Sequence, residues 1–163
     1  MNRVTSIRLA AWLLIAGLLS ATPVAAQAPT APATPAAQVP QALTYEMAVN
    51  VIDAAEDEAR KNKWNVTIVV TDAAGVPVVL RRLSGASPRS YDIATRKAAT
   101  VVATKLATSA YGEQLKAGSV KEVPNGITFA GGVPIMRGTE FIGAVGTSGV
   151  RAIEDEQISK AGA

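Results

Sequence analysis

Arg81, Arg82, Arg89, Arg96 and Lys97 crowd one short stretch of this chain. A guanidinium grips a carboxylate through two parallel hydrogen bonds, so a pocket in this region calls for a ligand bearing acid groups. Successive side chains of a strand point to opposite faces, which sends Arg81 and Arg82 to different sides of any sheet they belong to. At least one is then aimed at a pocket, unless the whole cluster is a solvated surface. Other chemistry is removed outright, because the sequence contains no His and no Cys. Triads with an imidazole base and zinc sites of Cys or His are excluded. A Ser–Lys nucleophile stays formally open, with no spacing that points to it. Asp53, Glu56, Asp57 and Glu58 offer oxygen ligands for a hard cation. Arg60 and Lys61 follow Glu56 and Asp57 at a spacing of four, so an ion-paired helix surface is the simpler reading.

A second pattern lies in the last third. Gly131-Gly132-Val133-Pro134-Ile135 is followed, after the turn Arg137-Gly138-Thr139-Glu140, by Gly143-Ala144-Val145-Gly146-Thr147-Ser148-Gly149. The run lacks the Lys-Ser/Thr ending of a phosphate loop and the spacing of a dinucleotide fingerprint. Glycine weakens a strand unless something approaches the backbone. Either a helix packs closely over the strand, or a ligand lies against it.

These residues belong to one domain behind a leader. Arg3 and Arg8 precede the apolar run from Leu9 to Leu19, and Val24-Ala25-Ala26 offers a cleavage site, the three-part pattern of a secretory signal over residues 1–26. The run is shorter than the roughly 20 residues a membrane span needs. Losing residues 1–26 removes two basic and no acidic residues, so the net charge falls from +3 to +1. That leaves no field to draw the protein onto nucleic acid, and too few aromatics for a stacking platform. No membrane association is expected after cleavage, and the destination is periplasmic or secreted. With no Cys there are no disulfides in that oxidising setting. Residues 27–41, rich in Ala, Pro and Thr, read as an extended tether, leaving 42–163 as the folded domain.

Within it, Thr44 is placed to cap a helix over 45–61 with Ala48, Ile52, Ala55 and Ala59 on one face. Strands follow over 64–71 and 76–83, joined by Asp72-Ala73-Ala74-Gly75. Pro88 opens a long helix to about Leu106, with Tyr91, Ala94, Ala98, Val101 and Val102 as its buried stripe. A short helix over 108–116, a short strand over 127–129, a hairpin over 133–136 and 141–147, and a helix from about Ile153 complete the chain. Hairpins exclude an all-parallel sheet, so the class is α+β, one antiparallel sheet with helices packed on it.

The chain resembles the GlcG/HbpS family of small haem-binding, also called haem-degrading, domains. The likeness runs from Leu43 to Ala161. It is carried by Leu43-Thr44, Trp64-Asn65-Val66, Val70-Thr71-Asp72 with Gly75, Arg81-Arg82-Leu83, Gly85-Ala86 and Lys97-Ala98, and best by the two glycine motifs of the last third. The resemblance implies a sheet of about five strands in a profilin- or PAS-like three-layer arrangement, and a homo-oligomer. It also implies links to haem or iron sensing outside the cell, to glycolate utilisation or to cobalamin-related proteins. Many relatives carry Gly-Gly-His after the first strand, where this chain has Ala74-Gly75-Val76. Haem is therefore the cofactor the resemblance implies, held without His or Cys; the remaining axial candidates are Tyr45, Tyr91, Tyr111, Met47 and Met136.

The expected cofactor-binding residues are Arg82, Lys97, Tyr111, Gly131 and Gly132, with no catalytic residue and no metal assigned. Arg82 sits at the end of the first hairpin, within reach of a pocket between sheet and helix, whereas Arg89 is expected to remain solvated. The leading function is an exported small-ligand-binding protein, haem- or iron-related. The alternatives are an enzyme or accessory acting on a small carboxylate such as a 2-hydroxy acid, with Arg82 and Lys97 holding the acid, and a sensory partner working through its helical faces.

Overall fold

The computed structural model describes residues 42–163; the expected leader and tether lie outside them. Thr44 accepts a hydrogen bond from the Met47 amide and starts helix α1 (Tyr45–Lys61), whose buried residues are the expected Ala48, Ile52, Ala55 and Ala59. Strands β1 (Thr67–Asp72) and β2 (Pro77–Arg82) form the first hairpin. β1 begins later than its β-branched composition suggests. Lys63 takes a left-handed φ of 59°, and the Trp64 amide still donates to Ala59 O, so both residues finish the helix cap.

Helix α2 (Arg89–Thr104) and helix α3 (Thr108–Lys116) follow. Lys105, at φ 60°, ends α2 ahead of Leu106. Strands β3 (Gly132–Arg137) and β4 (Glu140–Ser148) make the second hairpin, and helix α4 (Ala152–Gly162) closes the chain. The sheet is antiparallel in the order β2-β1-β4-β3, with Pro77 in one edge strand and Pro134 in the other. It holds four strands among the described residues rather than about five. The stretch 127–129 does not pair because the Ile127 amide donates to Thr100 Oγ1 on α2 instead of to a neighbouring strand.

Alternation along the strands gives the two sheet faces different work. Ile68, Val70, Val133 and Val145 meet Ile52, Ala55 and Ile158 in the main apolar core, under α1 and α4. Ala144 meets Ala98 and Val101 on the other face, under α2. The three glycines of the β4 region serve three different close approaches. A Cβ on Gly146 would strike the Ala94 carbonyl of α2, one on Gly143 the Thr71 carbonyl of β1, and one on Gly149 the Asn65 carbonyl before β1. Close packing of a helix thus explains Gly146 alone.

Tyr91 departs from the expected stripe of α2, standing 52% exposed, while Lys97 takes a buried place that no apolar pattern announces. Among the described residues no helix is long and apolar enough to cross a membrane.

Candidate functional site

Helix α2 organises the site because adjoining stripes of it meet different partners. One stripe carries Lys97, fully buried, whose Nζ donates to Asp155 Oδ2 at 2.8 Å and to the Thr147 carbonyl at 2.9 Å. Asp155 belongs to α4, and its Oδ1 also accepts from the Val150 amide at 3.2 Å. Ser159, one turn along α4, donates to the Gly131 carbonyl and lies 2.8 Å from Thr147 Oγ1. Burial pushes the Lys97 amine below its ordinary range and the Asp155 carboxyl above its own, each toward neutrality; their mutual attraction works against both shifts. The pair ties α2 to α4 around the start of β3, where Gly131 must be glycine. Its φ is 127°, and a side chain there would run into Lys97 Nζ.

The adjoining stripe of α2 faces a surface cleft of about 400 Å³. Arg89, Asp92, Ile93 and Arg96 line it from the helix, and residues 126–129 close it opposite, ending in Phe129. The Arg96 Nε and guanidinium nitrogen donate to the Asn125 carbonyl at 3.3 and 3.1 Å, fixing one wall. Arg89 makes no ion pair or hydrogen bond with the described residues, and it is shared with a second cleft of about 280 Å³ that continues to Ser148, Gly149 and Val150. A third cleft, also about 280 Å³, lies apart beside Trp64, Lys63 and Ser84. No group of three or more acidic residues is arranged to hold a metal ion among the described residues. Arg81, with Asp53 and Glu56, shows what the acidic helix face does instead: Arg81 donates to Glu56 Oε2 at 2.7 Å and pairs with Asp53.

The residues singled out in the sequence fall in three places. Lys97, Gly131 and Gly132 come together, but as packing and charge pairing behind the cleft rather than as its lining. A Cβ on Gly132 would meet Thr108, the Lys97 carbonyl and Val101. Arg82 does point away from Arg81, as alternation requires, yet its Nε and guanidinium nitrogen both donate to the Ala86 carbonyl, at 3.1 and 2.8 Å. It lines none of these three clefts, whereas Arg89 lines two.

Tyr111 is fully buried, its hydroxyl accepting from the Val123 amide at 2.8 Å, with Gly126 packed above it. Met47 is occupied as an acceptor from Arg137 at 2.9 Å, and Tyr45, Tyr91 and Met136 are exposed away from these clefts. The sequence reading missed Asp155, Thr147, Ser159 and Phe129. One signal was present: Asp155 shares a face of α4 with Ile158 and Ser159, three and four residues on, so a buried Ile158 brings Asp155 inward with it.

A helix-flanked single antiparallel sheet with a basic, part-apolar cleft against α2 defines a small α+β domain of ligand-site proportions. The chain belongs to the HbpS-like family, described as haem-degrading protein HbpS-like, whose model matches residues 43–163. It is 36% identical over 108 residues to protein GlcG of Escherichia coli K12, covering 65% of this chain and 81% of that protein. A double mutant of HbpS from Streptomyces reticuli superposes with a TM-score of 0.70 at 34% identity, covering 84% of this chain and 95% of that one. A PduOC–heme complex superposes with a TM-score of 0.64 at 27% identity, covering 75% and 93%. The family resemblance read from the motifs is thereby established.

Proposed function

We propose that this protein is an exported small-ligand-binding domain whose cleft beside α2 takes a flat acid, haem above all, without His or Cys at the iron. The observation that carries the reading is Arg89, a guanidinium with no partner among the described residues, set beside Arg96, Ile93 and Phe129 in one cleft. The family and the PduOC–heme relative support haem as the ligand. The residues fit the periphery of that group. Arg89 and Arg96 suit its carboxylates, and Ile93 and Phe129 suit its apolar edge. The cleft offers the iron only oxygen atoms, on Asp92 and Thr128. Haem when bound supplies a redox-active iron with a visible absorption band; the chain's own residues bind, orient and shield its rim.

Titration with hemin tests this. A Soret band saturating at a fixed stoichiometry is expected, with Arg89→Ala weakening binding about tenfold or more, as for a desolvated charge partner, and Arg82→Ala leaving it unchanged. No saturable band, or equal binding by wild type and Arg89→Ala, removes the cleft from the reading. One observation favours a small carboxylate instead: the cleft's modest volume of about 400 Å³. A thermal shift with 2-hydroxy acids and none with hemin selects that alternative.

Export and self-assembly belong to the same proposal. The leader pattern supports the first. Exposed Val76, Leu80 and Tyr91 support the second, since contact with another copy would cover them. The helices on both faces of the antiparallel sheet support the profilin- or PAS-like comparison. Native mass spectrometry of the exported protein is expected to show a chain starting near Gln27 and a mass that is a multiple of it. An intact Met1 or a monomeric mass contradicts the corresponding part.

A further inference from the structure

Phe129 stands between two environments. It lines the cleft with its ring 46% exposed, and Lys97 Nζ lies over the ring at 5.1 Å from the centroid. Lys97 is fully buried and does not line the cleft, so the ring is the part of this contact that a ligand can reach. An ammonium against one face of an aromatic ring is attracted by its π-electrons and draws them toward itself. The part of the ring left to the cleft is then less negative and better suited to an electron-rich partner.

Lys97 also bears on where the ring sits. The amides of Thr128, Phe129 and Ala130 donate no hydrogen bond within the described protein. Hydrogen bonds tie the two feet of this arch, through Ile127 N to Thr100 Oγ1 at 2.9 Å, Gly132 N to Thr108 Oγ1 at 3.0 Å, and Thr147 N and Ser159 Oγ to Gly131 O at 2.8 Å each, while the Thr128 backbone packs against Gly112. Between them Phe129 rests on the ammonium, which Asp155 and the Thr147 carbonyl hold in place.

We infer that Lys97 is a specificity-determining positioning residue of the cleft: through Phe129 it makes the site prefer flat, conjugated acids over saturated acids of the same charge and size. This rests on the reading that the cleft binds an acid, and adds that its selectivity is set from behind by a residue no ligand touches. The consequence is that the buried pair governs the preference between ligand classes, while Arg89 governs affinity for both.

The probes are 2-naphthoate and its saturated analogue decahydro-2-naphthoate, titrated into the protein and followed by NMR. The unmodified protein is expected to prefer the aromatic acid about three- to tenfold, the range for an aromatic pair. In Phe129→Leu the preference falls to within about twofold, and Lys97→Met combined with Asp155→Leu, which keeps the ring but replaces the ion pair by apolar groups, loses most of it. Arg89→Gln weakens both acids alike and keeps the ratio. The Lys97 Cε–H resonance gives a second reading that needs no substitution: it moves with 2-naphthoate and holds still with the saturated acid.

Equal affinities in the unmodified protein, a preference kept in the Lys97/Asp155 variant, or a Lys97 resonance unmoved by both acids overturns the inference while leaving the cleft intact. Binding of neither acid overturns the cleft reading and the inference together.

Discussion

The two faces of the sheet are built from different materials. Under α1 and α4 the contacts are apolar and interlocking: Ile52, Ile68, Val70, Val145 and Ile158 with the alanines of α1. Under α2 the apolar side chains are fewer and smaller, Val69, Ala94, Ala98, Val101 and Ala144, and buried polar groups gather beside them, among them Thr67, Ser90, Lys97 and Thr100. Thr67 and Ser90 join their hydroxyls at 2.7 Å, and Ser90 also donates to the Ser87 carbonyl. The first face gains from burial without directional demands. The second holds α2 at a fixed height and rotation through contacts that tolerate little change. The cleft lies against the helix held through polar contacts, not against the larger core.

The sharpest way to break this contrast is Lys97→Met. It leaves Asp155 buried without its partner, at an expected cost of about 3–5 kcal/mol, and adding Asp155→Leu recovers much of that loss. Urea unfolding of the two variants measures it; a single variant as stable as wild type would mean that the α2 face relies on packing alone. Gly146→Ala comes next. Its new methyl group meets the Ala94 carbonyl and the Ala98 amide of α2, backbone atoms that cannot turn aside, so about 1–3 kcal/mol is expected from overpacking. A thermal melt that leaves Gly146→Ala equal to wild type would show that α2 floats over β4.

The smallest effect belongs to the opposite face. Burial tends to raise Glu56, but hydrogen bonds from Arg81 and Arg60 hold its carboxyl below the ordinary value of 4.5. Its contribution is therefore fully present above that value and fades as the pH falls through the depressed one. Glu56→Gln should lose less than about 1 kcal/mol at neutral pH and show a shallower decline between neutral and acidic conditions. Parallel pH profiles for the two proteins would remove Glu56 from the balance.

Much of this fold was legible because the apolar face writes itself in periodicity. Ala48, Ile52, Ala55 and Ala59 recur at helical spacing, and Val66, Ile68 and Val70 alternate, so α1 and β1 follow directly. The edge of α1 was less legible, since Trp64 looks like a strand residue and is spent on a helix cap. The site was hardly legible at all. Lys97 and Asp155 are 58 residues apart, and nothing local marks these two charged side chains as a buried pair. Arg82 and Arg89 are chemically identical; the Ala86 carbonyl, which occupies one and not the other, and the clefts, which Arg89 alone lines, tell them apart. The absence of His and Cys was legible from the start, and it excludes imidazole and thiolate ligands from any metal site of this chain.

Pro77 and Pro134 have a consequence for how such a domain meets others of its kind. Each sits in an outermost strand, and an imino acid has no amide hydrogen to offer a newcomer. The sheet is thus self-limiting: growth by adding strands meets a missing donor on either flank. A contact between copies would have to run through side chains, and the ribbon that would otherwise lead to fibres is interrupted at both margins.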